Sequence, residues 1–228
     1  MADTPYALIV GAGSGLSASL ARRFAAEGTS IALAARDPNK LAALVEETGA
    51  RAYACDASQA DDVAMLFEKL SNDFGTLEVA VYNPSFRTRG PITDIDPADV
   101  ERALAVTVFG AFLVGQAAAR PMIAQGHGSI FFTGASAGVK GYPQSASFAM
   151  GKFGLRGLAQ SMARELAPQG IHVAHFVIDG GIRGRDVEPG NDKMLDPDAI
   201  AESYYQTHIQ HRSAWSWEIE VRPWLEKF

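Results

Sequence analysis

The sequence predicts an α/β protein built on one doubly wound parallel sheet, three layers deep with about seven strands. Three observations carry this. A glycine-rich loop, Gly11-Ala12-Gly13-Ser14-Gly15-Leu16-Ser17, follows a short apolar run and opens a helical pattern. Strand-length apolar runs then alternate with helical patterns to the end of the chain, and several runs are apolar throughout, as strands buried on both faces are. No repeat, low-complexity tract or linker breaks this alternation, so the 228 residues read as a single domain, 1–228.

Tyr6–Val10 is the first strand. Leu16, Leu20 and Phe24 recur at helical spacing with Ala21 and Ala25 beside them, which predicts a helix from Leu16 to about Glu27, stopped by Gly28 in a left-handed cap. Ile31–Ala35 is the second strand. Strand, glycine loop, helix and strand form one βαβ unit of Rossmann-like type, a phosphate cradle in which glycines admit the backbone to the phosphates and the helix N-terminus favours negative charge. A structural turn without a ligand is the alternative. Asp37-Pro38 opens the second helix as cap and first helical residue. Leu41, Leu44 and Val45 form its apolar face, and Gly49 ends it.

Ala52–Cys55 is the third strand, closed by Asp56-Ala57. Ser58 is expected to cap the third helix, with Asp61 completing a near capping box, and that helix runs to about Phe74. Glu78–Tyr82 is the fourth strand, followed by Asn83-Pro84-Ser85 and a loop from Arg87 to Ile95. Asp96-Pro97 caps the next helix. From Val106 to Ala119 the pattern is helical and rich in small residues. Ser129–Thr133, a long helix over Ser145–Leu166 and a strand over His172–Ile178 follow. The polar stretch Arg183–Leu195 reads as a lid over the substrate, and with the helix begun by Asp196-Pro197 it makes 183–211 a substrate lid and helix. Trp217, Ile219 and Val221 alternate with Glu218, Glu220 and Arg222, a half-buried closing strand.

Bulk properties exclude several classes. A net charge of −6 leaves no global basic field for nucleic acid. Cys55 is the one cysteine, which excludes an intrachain disulfide framework and a multi-cysteine metal site. His208 and His211 are three apart on a helix, which permits metal binding, but no third ligand stands nearby in sequence, so no metal is expected. The chain shows no basic-then-apolar leader and no run of eighteen apolar residues, so a membrane partner is not expected and a cytoplasmic setting is the default. His172 and His175 read as structural histidines of a strand. The C-terminal aromatics Trp215, Trp217 and Trp224 read as core or interface, with a place in the substrate pocket as the alternative. A small-molecule substrate is the remaining partner.

Arg36 follows the second strand. An acidic residue there hydrogen-bonds a ribose 2′-hydroxyl, whereas an arginine suits a 2′-phosphate, so the expected cofactor is NADP, with NAD less favoured. Asp37 comes one residue too late for the acidic role. A solvated surface arginine is the other reading of Arg36.

The loop departs from G-x-G-x-x-G: Gly11 and Gly15 are four apart. In this it resembles the short-chain dehydrogenase/reductase family, whose loop reads T-G-x-x-x-G-x-G, with Val10 here for the threonine and Ser17 for the last glycine. The stretch from Ser145 to Leu158, containing Phe148 and Lys152, resembles the family's Tyr-x-x-x-Lys segment. The resemblance extends from about Tyr6 to Phe228 and is nearest to a divergent subgroup with phenylalanine for the catalytic tyrosine.

Several roles follow from the resemblance. Gly11, Gly13, Ser14, Gly15 and Leu16 hold the pyrophosphate. Asp56 and Ala57 sit at the adenine, and Asn83 matches the first residue of Asn-Asn-Ala-Gly. Lys152 holds the nicotinamide ribose. Gly180 and Ile182, in Asp179-Gly180-Gly181-Ile182 where Pro-Gly-x-Val is usual, suit a nicotinamide contact. The small-residue helix implies a homodimer or homotetramer, with packing on the chain's own sheet as the alternative. Three catalytic positions depart: Phe148 stands for the tyrosine, Ala135 for the serine thirteen residues before it, and Thr107 for the helix asparagine. The implied function is an NADP-dependent oxidoreductase that moves hydride between nicotinamide and a small carbonyl, alcohol or imine without the Ser-Tyr pair. Thr133, Ser136 and Tyr142 lie at the exit of the fifth strand; Ser136 and Tyr142 join Lys152 as candidate catalytic residues. Read structurally, Ser136 is a turn cap and Tyr142 a loop-packing residue. The alternative function is a catalytically degenerate NADP(H)-binding sensor or partner subunit.

Overall fold

Strands β1 (Tyr6–Val10), β2 (Ser30–Ala35), β3 (Arg51–Ala54), β4 (Leu77–Tyr82), β5 (Gly128–Thr133), β6 (Ile171–Ile178) and β7 (Glu218–Val221) pair in one parallel sheet. Their order is β3-β2-β1-β4-β5-β6-β7. The computed structural model describes residues 4–184 and 193–225. The proposed lid falls partly on 185–192, outside the described residues.

Alternation within each strand feeds two cores. Leu8, Val10, Ala80, Tyr82 and Phe132 turn to one face and meet α3 (Ala60–Asp73), α5 (Gly110–Gln125) and α6 (Ala146–Leu166) through Leu66, Leu70, Val114, Ala118 and Leu155. Ile9, Leu33, Val81, Phe131 and Phe176 turn to the other face and meet α1 (Leu16–Ala26), α2 (Ala42–Thr48) and α7 (Pro197–His208) through Leu20, Phe24, Leu44, Ile200 and Tyr204. The result is the expected three-layer arrangement. Gly28 has φ +83°, the left-handed conformation its position after α1 demands. Asp96 and Asp196 cap α4 (Pro97–Leu104) and α7 as their Asp-Pro pairs predict, each accepting from the N–H two residues on. Asp37 caps a 3₁₀ turn, Pro38–Leu41, that precedes α2.

Three expectations need correction. Ser58 caps nothing. Its N–H and hydroxyl both donate to Asp56 Oδ1, at 3.0 and 2.7 Å, and the Asp56 N–H donates to Asp62 Oδ2 at 2.8 Å, so aspartates rather than serine fix this helix start. The Val106–Ala119 helix is two elements: a π-helical turn, Ala105–Phe109, then α5, which continues to Gln125 with Pro121 inside. The turn forms where the Tyr82 hydroxyl donates to the Val106 carbonyl and Gly110 lies so close that a Cβ there would be 2.6 Å from the Ala57 oxygen. His211 is not on a helix with His208, because α7 ends at His208 and His211 opens a short turn. The combined stretch Pro97–Gln125 is the one helix among the described residues long and apolar enough to cross a bilayer; here Ala111, Val114, Ala118 and Met122 pack it against the sheet.

Candidate functional site

Two clefts open where the strand order reverses, at the C-terminal ends of the strands. A doubly wound sheet places ligands at this switch point. The first, about 830 Å³, is lined by Gly11, Gly13, Ser14, Arg36, Asp56, Ala57 and Asn83 among others. The second, about 980 Å³, gathers Gly15, Leu16, Ser136, Tyr142, Phe148, Lys152, Gly180 and Ile182. Asn83 and Ser85 line both, so the clefts are continuous. The predicted site residues therefore fall into one groove, with the glycine loop crossing from its first half to its second.

The loop is held from below. Gly11 has φ +79°, and an added Cβ would lie 2.7 Å from Pro84, so no other residue fits. The Ser17 hydroxyl donates to the Gly11 carbonyl at 3.0 Å and accepts from Asn83 Nδ2 at 2.7 Å. Ser17 and Pro84, both departures from the usual motifs, thus tie the loop to the end of β4. Gly13 and Gly15 face open space, where a Cβ would meet nothing within 4 Å. Helix α1 begins at Leu16 with no side-chain cap and no acidic residue in its first turn. The Ala18 N–H donates to the Gly15 carbonyl at 2.9 Å, which leaves the N–H groups of Leu16 and Ser17 to face an anion.

Arg36 lines the first cleft beside Asp37 and Lys40, which pair with each other at 3.6 Å. The Ser58 hydroxyl holds the Asp56 carboxyl below the ordinary carboxylate range, so Asp56 is ionised at the cleft wall.

Lys152 is buried, 3% exposed, and its Nζ donates to the Thr133 carbonyl at 2.7 Å. Burial pushes its pKa down to about 8, which leaves it mostly charged at neutral pH. The Phe148 ring centroid lies 5.7 Å from Nζ. The Thr133 side chain points away, sharing a 2.9 Å hydrogen bond with the Tyr204 hydroxyl, so Thr133 is not a donor to the cleft. Ser136 opens a 3₁₀ turn whose carbonyl accepts from Val139 and Lys140. Tyr142 is 40% exposed with the Lys140 ammonium over its ring. Thr107 is buried in the π turn; its hydroxyl faces the Phe86 N–H at 3.4 Å.

A match to the short chain dehydrogenase family model covers residues 5–184. The chain belongs to the short-chain dehydrogenase/reductase family. A short-chain dehydrogenase from Rhodopseudomonas palustris superimposes with a TM-score of 0.86 at 36% identity, covering 98% of this chain and all of that one. A metagenomic short-chain oxidoreductase in complex with NADP gives 0.85 at 27%, over 99% of both chains. An NAD+-bound xylitol dehydrogenase gives 0.85 at 26%, over 97% of this chain and 98% of that one.

Two groups in this short-chain dehydrogenase/reductase fold escape sequence reasoning. Arg87 and Arg89 line the second cleft. Their signal is a basic pair just past the C-terminal end of a central strand, where ligands bind. Behind the cleft floor, the His175 Nδ1 is 3.1 Å from Glu218 Oε2, and Glu218 takes a bidentate pair from Arg156 at 2.6 and 2.8 Å. The His175 Nε2 is buried under Gly134, where any Cβ would strike it. Only β7 pairing with β6 brings these residues together.

Proposed function

We propose that the chain is an NADP(H)-dependent oxidoreductase acting on a small carbonyl, alcohol or imine without the usual serine–tyrosine pair. The observation that carries this is the continuous groove itself, with an open glycine loop and Arg36 in one half and the buried Lys152 ammonium in the other. The groove fits a dinucleotide: Gly13 and Gly15 leave the cradle empty of side chains, and the uncapped start of α1 offers N–H donors to a pyrophosphate. Arg36 takes a 2′-phosphate and Lys152 a ribose hydroxyl. When bound, the nicotinamide supplies or accepts the hydride.

The chain's own contribution is to position and to polarise. Phe148 has no proton to give. Ser136 and Tyr142 bring hydroxyls to the second cleft, and either serves as donor; an iminium substrate needs none. General acid–base help is worth about 10²–10⁴-fold, so its loss slows carbonyl reduction without abolishing hydride transfer. The same losses at Ala135 and Phe148 favour a second reading, an NADP(H)-binding sensor or partner subunit. Turnover in a screen that includes imines separates the two.

Titration with NADPH and NADH, by fluorescence or calorimetry, is the direct test. NADPH is expected to bind more tightly, and Arg36→Ser to weaken NADPH about 10–100-fold while NADH changes little, the cost of one charge-assisted phosphate contact. Binding of neither dinucleotide would sink both readings.

We also propose a homodimer or homotetramer paired through α5 and α6. Phe109, Phe112, Met150 and Phe153 are each more than 40% exposed, and Phe109 and Phe112 stack at 6.4 Å. Such an apolar surface is characteristic of an interface. Phe112→Glu with Phe153→Glu is expected to shift the protein to monomer in sedimentation; a monomeric wild type would overturn the proposal.

A further inference from the structure

The chain carries more acid than base, 26 residues against 20, yet the second cleft has the opposite balance. Arg87, Arg89, Lys152 and Arg183 line it, with Asp179 as the single carboxylate among its described lining residues. Two of these charges are already answered: Asp179 pairs with Lys140 at 3.9 Å, and Arg183 with Asp196 at 2.5 Å. Lys152 is engaged with the Thr133 carbonyl. Arg87 and Arg89 pair with no carboxylate among the described residues.

Arg87 is exposed at the cleft, but it is held in place. Its Nη2 donates to the Ser145 hydroxyl at 3.0 Å, and its guanidinium lies 4.9 Å from the centroid of the Phe148 ring. Ser145 precedes α6 and makes no cap bond of its own, so its hydroxyl serves Arg87. The guanidinium is thereby held over the residue that stands where the family has its proton donor. Partial burial, and then the neighbouring charge of Arg89, hold Arg87 below the ordinary arginine range, though it stays charged. Two like charges turned into one cleft are a repulsive arrangement that an anion relieves, and a guanidinium's planar fork matches carboxylate and phosphate.

We propose that this cleft takes substrates bearing an anionic group, a carboxylate or a phosphate, clamped by Arg87 and Arg89. The proposal rests on the reading of the cleft as the substrate side of an oxidoreductase site and supplies its substrate class. The clamp fixes the substrate's charged end over Phe148, which leaves its reacting carbon to face the nicotinamide side of the groove.

The test reads binding without turnover. Protein loaded with NADPH is titrated with oxamate and with glycerol 3-phosphate, and with their neutral counterparts methyl oxamate and glycerol, none of which NADPH reduces. At least one anion is expected to bind about 10–100-fold more tightly than its counterpart. Which anion does so distinguishes carboxylate from phosphate. Arg87→Gln with Arg89→Gln is expected to erase the preference, while Lys69→Gln, an exposed lysine on α3, leaves it intact. Equal binding of anion and neutral probe, or a preference that survives the double variant, would overturn the clamp. Turnover is then measured with pyruvate, methyl pyruvate, glyceraldehyde 3-phosphate and glyceraldehyde. Anion preference with no turnover of these or of the imines in the screen keeps the clamp and removes the oxidoreductase reading; turnover with no preference removes the clamp alone.

Discussion

Ala135→Ser combined with Phe148→Tyr is expected to raise NADPH-dependent reduction of small ketones by about 10²–10⁴-fold, the range that a positioned general acid contributes. The partner such a phenol needs is already present. Lys152 is fixed by its 2.7 Å bond to the Thr133 carbonyl and is mostly charged at pH 7, with a pKa of about 8. Its Nζ lies 5.7 Å from the Phe148 ring centroid, so a hydroxyl added to that ring enters the field of the ammonium, which lowers a phenol's pKa. Ala135 lies in the same cleft wall and directly precedes the 3₁₀ turn begun by Ser136, so a serine there needs no backbone change. Steady-state oxidation of NADPH with the single and double variants is the measurement. A double variant that binds NADPH and shows no gain would mean that the nicotinamide does not lie beside residue 148.

The second large effect is on stability in acid. Two histidines, His172 and His175, are buried in their neutral form, and His208 is half-buried beside them. Burial pushes His175 and His208 down to about 4 and lowers His172 as well. Glu218 does not rescue the charge on His175, because Arg156 already holds that carboxylate bidentately. The unfolded chain protonates these rings near pH 6.5, whereas the folded chain resists until about pH 4. Unfolding therefore takes up protons between these values, and stability, fully present above about pH 6.5, falls as pH drops through the window. Two rings shifted by about 2.5 pH units each lose about 3 kcal/mol apiece by pH 4, at 1.36 kcal/mol per unit. The sum is comparable with the whole stability of a typical domain. Urea midpoints at pH 7, 6 and 5 are expected to fall steeply, and His208→Asn to shallow the slope. A midpoint flat from pH 7 to 5 would show that these rings protonate in the fold.

Much of the fold was legible because its signals are local. The apolar runs at Tyr6–Val10 and Glu78–Tyr82, the Asp-Pro pairs at 96–97 and 196–197, and Gly28 each fix their own neighbourhood. The glycine loop, Arg36, Lys152, Ser136 and Tyr142 could be assigned to one groove because each follows the C-terminal end of a strand or faces one. Illegible features depend on distant partners. The π turn at Ala105–Phe109 exists because of Tyr82 and Ala57, and nothing in its own residues announces it. Ser58 satisfies the pattern of a cap, but Asp56 lies closer to its hydroxyl than the helix does. The partner that takes up the Thr133 hydroxyl, Tyr204, comes 71 residues later. Arg87 and Arg89 passed as loop residues because their importance lies in where Phe148 and Ser145 sit.

The contact between Gly134 and His175 orders the mutational history open to this chain. The imidazole fills the space that a side chain at 134 would need, and the Gly134 N–H is fixed to the Phe176 carbonyl at 2.7 Å, so the strand end cannot step aside. Position 135 can take a hydroxyl in one substitution. Position 134 accepts no side chain: a small residue at 175 would clear the imidazole and strip Glu218 of one of its two partners, yet a Cβ would still lie 2.7 Å from the Phe176 carbonyl oxygen. The two neighbouring positions are therefore unequal: one is open to a hydroxyl, and the other is locked by two residues on the adjacent strand.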